Sequence, residues 1–184
     1  ITTDGNLFTS LAIGVGNTLE GVVGALLVMK FANGVNAFDR VRDCFVFLCS
    51  GAFVGPVFSA TIGVTALALG GYVSFSEYEF IWVTWWLGNA VSALVLAPFL
   101  ILWFRRHRVE WAWQKLIELG FFLVSFVLIL QLVFTEQFIG DYGFPIFTMP
   151  WFVWVAMRFS PRETAAALLL AAIFSADATL KGLG

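Results

Sequence analysis

Six apolar stretches, separated by short charged connections, leave this chain few folds to choose from. They are Leu7–Phe31, Cys44–Leu69, Ile81–Phe104, Leu116–Phe134, Phe144–Met157 and Thr164–Leu180. A helix crosses a bilayer in ~20 residues, with a range of about 17–25. The first four stretches reach that length, and the sixth is adequate around its strong centre at 165–172. The fifth is short and carries Pro145 and Pro150, so a broken or tilted element is expected there. The helices are apolar all round, so periodicity does not separate a buried side from a lipid-facing one. Of the 184 residues, 60% are hydrophobic and 12% charged, and the mean hydropathy is +0.92. A soluble domain carries about 25% charged residues, so lipid is the solvent for most of this chain. The expected fold is all-α, a polytopic transmembrane helix bundle with six spanning segments and the bilayer as its first partner.

The charges set an orientation. The connection after the first stretch holds Lys30, Arg40 and Arg42, the one after the third holds Arg105, Arg106, Arg108 and Lys115, and the one after the fifth holds Arg158 and Arg162. These are nine of the ten basic residues, all on one side. The alternate connections hold Glu77 and Glu79, then Glu136 and Asp141. Basic connections stay in the cytoplasm, so odd-numbered helices run from outside to inside. A multi-pass protein of a bacterial inner membrane is expected, with both ends of this chain outside. On that topology residues 1–184 form one integral membrane domain lacking a helix at each end.

Local signals mark the helix ends. Ser160-Pro161-Arg162-Glu163 reads as a capping box with proline at the first helical position. Trp82, Trp85 and Trp86 at the outer end of the third helix, and Trp103 at its inner end, read as interfacial anchors. Trp111 and Trp113 beside residues 105–108 read as a basic connection touching anionic lipid. Arg158 and Asp177 lie near opposite faces and read as separate anchors. Cys44 and Cys49 point about 140° apart on a helix and make no metal spacing. His107, among arginines, reads as a solvated residue.

The chemistry that membrane interiors tolerate is concentrated in three helices. Glu20 lies ten residues from Lys30, ~15 Å inside the membrane edge. An ionisable group at such depth costs about 2.5–3.5 kcal/mol on insertion scales, so it is paired, protonated or in a cavity. It reads either as packing glue or as a ligand or proton site. Gly14, Asn17, Gly21 and Gly24 share its neighbourhood and would let another backbone approach. Gly51, Gly55, Ser59 and Gly63 form a strict four-residue stripe for helix packing, and Pro56 is expected to kink that helix. In the third helix Trp85, Asn89, Ser92 and Leu96 fall near one face, and Pro98 is expected to bend the inner half. Gly16-Asn17 and Gly88-Asn89 match as a weak parallel repeat, which would let the two amides bond across the bundle or face one cavity. No phosphate-binding loop, dinucleotide motif, metal-binding helix motif or nucleophile–base constellation occurs. No enzyme activity, metal, cofactor or nucleic-acid partner is expected of this chain.

Several of these segments together resemble a known family. GNTLEGVVGALLVMKF, the basic RVRD, FVGPVFSATIGVTALALGG, WVTWWLGNAVSALVLAPFLILW and PWFVWVAMRFSPRE occur in that order. In content and order they resemble the first type of bacterial membrane-associated sensor domain, the MASE family, from Leu7 to Gly184. The most specific piece is 84–98, the tryptophan pair followed by glycine, a polar residue and a proline. The resemblance implies an eight-helix sensory module preceding the output domain of a histidine kinase or of a cyclic-di-GMP synthase or hydrolase. It departs from the family in one place, with Asn89 where an aspartate is common.

Two functions remain open at this stage. One is a signal-input domain that passes an unknown small ligand or membrane state to a cytoplasmic output domain in the same chain, in a homodimer. Its candidate site residues are Asn17, Glu20, Trp85, Trp86 and Asn89. The other is a small-solute transporter or its membrane subunit. A passive membrane anchor glued by its polar residues is the bland alternative.

Overall fold

A computed structural model describes residues 7–105, 113–133 and 144–181. Residues 106, 107, 108, 111, 136 and 141, singled out above, lie outside these. The described residues are helical apart from short turns: α1 (Leu7–Phe31), α2 (Val41–Leu69), α3 (Tyr78–Phe104), α4 (Trp113–Val133), α5 (Met149–Arg158) and α6 (Pro161–Leu180). All but α5 are long and apolar enough to cross a membrane. The expected count of six spans is therefore corrected to five among the described residues. The fifth stretch is a 3-10 segment, Phe144–Thr148, followed by the ten-residue α5. Pro150 sits in the first turn of α5, where its missing N–H costs nothing.

The chain divides into two compact units, Ile1–Ala97 and Pro98–Gly184. Pro98 lies inside α3, at this division. In the first unit α1 packs along α2. The turn between them passes through Asn33 and Gly34, both with left-handed backbone (φ 63° and 60°). Asparagine and glycine are the residues that adopt it most readily. Gly71 (φ 76°) does the same after α2.

Helix α2 is not uniform. It opens as α-helix over Val41–Val46, widens to π-helix over Phe47–Val54 and returns to α over Gly55–Leu69. Pro56 was expected to kink the helix; a π segment ends two residues before it, at Val54. Proline donates no hydrogen bond and its ring crowds the preceding turn, and shifting the ladder to wider pairing relieves both.

The packing is inverted relative to a soluble protein. Large apolar residues point outward: Leu7, Phe80, Phe104, Met157 and Leu180 are all more than three-quarters exposed. Small residues fill the first unit's helix contacts, with Ala52, Gly55, Ser59, Ala60 and Gly63 buried along α2. This is how helices associate in lipid, where tails are as apolar as leucine and close backbone approach supplies the attraction.

The second unit has an aromatic centre. Phe122, Phe126 and Leu130 of α4 pack with Val155 of α5, with Phe159 just after α5 and with Ala167 of α6. Trp154 meets Phe122 edge-on, with centroids 5.4 Å apart. Arg158, expected as an interfacial anchor, pairs with Glu118 at 2.5 Å. The hydrogen bond and charge of Glu118 raise the guanidinium pKa further, so Arg158 stays protonated. Ser160 and Glu163 form the expected capping box, the buried Glu163 carboxylate accepting the Ser160 N–H at 2.9 Å and its hydroxyl as well. Asp177 pairs with Lys181 one turn on. Trp103 lies under the Arg162 guanidinium, 4.0 Å from ring centroid to Cζ, and donates its indole N–H to the Arg162 carbonyl.

Candidate functional site

The polar residues of the first unit converge at the middle of its helices. Asn89 of α3 donates both hydrogens of its amide nitrogen. One goes to Glu20 Oε2 of α1 at 2.8 Å, the other to Ser59 Oγ of α2 at 2.9 Å. Ser59, almost wholly buried, donates its own hydrogen to the Pro56 carbonyl at 3.2 Å and so presents a lone pair to Asn89. One amide thus ties three helices together in an apolar interior.

Each helix delivers its group through small neighbours. Gly55 stands against the Glu20 turn: a Cβ there would lie 3.4 Å from the Glu20 carbonyl oxygen and 3.8 Å from its Cγ. Gly16 meets Ser59, where an added Cβ would come within 3.3 Å of the Ser59 Cα. Gly51 faces Val28, whose Cγ2 would lie only 2.7 Å from a Cβ added at Gly51, and Gly24 faces the Gly51 carbonyl. At these points α1 and α2 approach closely, which brings Glu20 and Ser59 within reach of one amide.

The tryptophans flank this cluster. Trp86 donates its indole N–H to the Phe53 carbonyl in the π segment at 2.9 Å and lies against the Phe53 ring. Trp82 stacks on Trp86 and donates to Thr61 Oγ1 at 3.1 Å. Trp85 covers Gly63, whose absent side chain leaves room for the ring. All three are half-buried against α2. They were expected as interfacial anchors, and the structure gives them a second task, pinning α3 to α2. Thr65 and Tyr78 add another hydroxyl link at 2.9 Å.

Several expectations change. Asn17 is exposed and, among the described residues, makes no hydrogen bond to the cluster. Glu20, not Asn17, meets Asn89, so the Gly-Asn repeat has no counterpart in geometry: Gly16 is buried whereas Gly88 has open space around it. Gly14 and Gly21 also border open space, with no backbone of the described residues close to them. Ser92 turns back to the Gly88 carbonyl at 2.8 Å, and Leu96 is exposed. Ser59, read from the sequence as a packing residue, proves to be the third member of the cluster. Its signal was the small-residue stripe itself, which shows proximity to another helix but not a hydrogen-bond role. No group of three or more His, Cys, Asp or Glu residues that could hold a metal is found among the described residues.

Five long apolar helices, large residues facing out and a half-buried polar bridge define a polytopic helical membrane domain. Residues 1–184 match the family MASE1 throughout. The chain belongs to that family and is a membrane-associated sensor domain, a module that carries no catalysis of its own. No curated protein and no solved structure matches it significantly.

Proposed function

We propose that this domain is the signal-input part of a bacterial signalling protein, and that the Glu20–Asn89–Ser59 cluster is the element its stimulus acts on. The observation that carries the reading is the double donation of Asn89 to α1 and α2. A ligand or membrane state that binds one packing of the three helices better than another shifts the population between them. Polar contacts inside the bilayer suit this role because they are made or broken as a unit, whereas apolar contacts slide. The change passes to a cytoplasmic output domain of the same chain, a histidine kinase or a cyclic-di-GMP enzyme, in a homodimer. The family assignment favours this reading over solute transport.

The test is the output activity of the full-length protein in membranes with Glu20→Gln and Asn89→Leu. An interhelical hydrogen bond in a membrane contributes about 0.6–1.7 kcal/mol. If it is made in only one packing, its loss changes the ratio of states about three- to eighteen-fold. Asn89→Leu is expected to change basal output on that scale at normal membrane levels. Unchanged output in both variants would identify a passive anchor.

A further inference from the structure

At the end of the first unit that carries Lys30, Arg40 and Arg42, α1 and α2 leave a groove of about 550 Å³. Phe31, the last residue of α1, forms one wall; Arg42, Phe45, Val46, Cys49 and Ser50 of α2 form the other. It is a shallow hollow, open along one side rather than enclosed. Ser50 already uses its hydroxyl hydrogen on the Val46 carbonyl at 2.6 Å. Arg42 is exposed and forms no ion pair among the described residues. The carboxylates of the same turn, Asp39 and Asp43, do not line the groove.

The arrangement is amphiphilic along the membrane normal. The helix begins at Val41 and its uncharged run at Cys44, so Arg42 stands at headgroup depth. Ser50 is eight residues further along α2, ~12 Å deeper at helical rise. Phe31 and Phe45 are more than half exposed, so the slot opens sideways to lipid. Its walls admit any acyl chain and select none, because lipid tails are as apolar as the side chains. Selection rests on the cation. A guanidinium is always charged and grips a phosphate through two parallel hydrogen bonds. Phosphatidylcholine offsets its phosphate with a choline cation, whereas phosphatidylglycerol leaves the charge uncompensated.

We propose that this groove binds one anionic phospholipid, with its headgroup phosphate on Arg42 and an acyl chain along Phe31, Phe45, Val46 and Cys49. The site lies apart from the Glu20–Asn89–Ser59 cluster and does not depend on which membrane face this end occupies.

Native mass spectrometry of the whole protein in neutral detergent tests it, with phosphatidylglycerol and phosphatidylcholine titrated separately. One basic residue near a membrane surface gives about fivefold in occupancy. The wild type is expected to retain one phosphatidylglycerol with that preference, Arg42→Gln to lose it and Lys115→Gln, outside the groove, to keep it. Equal retention of the two lipids, a preference that survives Arg42→Gln, or an equal loss in Lys115→Gln would overturn the proposal. Cys49 provides a second readout. In a Cys44→Ser background, phosphatidylglycerol should slow maleimide labelling of Cys49 about fivefold relative to phosphatidylcholine. Equal labelling rates would also overturn it.

Discussion

Asn89 explains at the scale of single atoms why an amide sits where the family commonly has aspartate. Its nitrogen gives one hydrogen to a carboxylate and one to a hydroxyl. An aspartate at the same place would set a second acceptor against Glu20 Oε2 and would bring neither of the two amide hydrogens. Glu20→Gln keeps an oxygen for Asn89 and is expected to leave stability within about 0.5 kcal/mol, whereas Glu20→Leu removes the acceptor and should cost about 0.6–1.7 kcal/mol. Equilibrium unfolding of the purified protein in mixed micelles separates the two. Gly51→Ala would press a methyl onto Val28 and should cost about 1–3 kcal/mol, as overpacking does. Gly21→Ala, with open space around it, should be neutral or slightly stabilising in the same assay. Glu20 and Asn89 were legible in the sequence because polar groups in long apolar runs have few reasons to be there. Asn17 looked equivalent because helices that are apolar all round give no phase from which to tell a buried face from an exposed one.

Among the elements, α2 departs furthest from regularity. Its π segment pairs each carbonyl with the N–H five residues on rather than four, and it ends two residues before Pro56. Deleting Leu48 should let that stretch re-form as α-helix, at less cost to stability than deleting Val64 from the regular part of the same helix. Thermal melting of the two deletion variants, in one detergent, checks the order; a larger loss for the Leu48 deletion would contradict it. The stretches of α1, α3 and α6 were legible to within a few residues, since length and hydropathy suffice for a spanning helix. The π segment was not, because Pro56 announces a disturbed ladder without saying how the ladder rearranges. The break in the fifth stretch was visible from Pro145 and Pro150, although the stretch was still counted as a span.

For the whole molecule, orientation follows from where the cations fall. A reporter inserted in the 105–115 connection should read cytoplasmic, and one inserted between α2 and α3, beside Glu77 and Glu79, should read periplasmic. Opposite readings would reverse the topology. The fold class was open to reading from composition because so few charges are available to cover a surface in water. Its internal arrangement was not, since small residues along α2 mark contact without naming the partner. Only coordinates show that Gly51 meets α1 while Gly63 meets Trp85 of α3.

The widened stretch in α2 also bears on how the helix arose. A helix that gains one residue can absorb it as a π segment without losing the contacts on either side. Here those contacts are the Gly51–Val28 approach, within the segment, and the Ser59–Asn89 bond beyond it. Relatives that kept the uninterrupted helix should align to this chain with a single-position gap inside 47–54 and none elsewhere in α2. That gap would date the insertion relative to the Glu20–Asn89 pair and show which of the two the lineage acquired first.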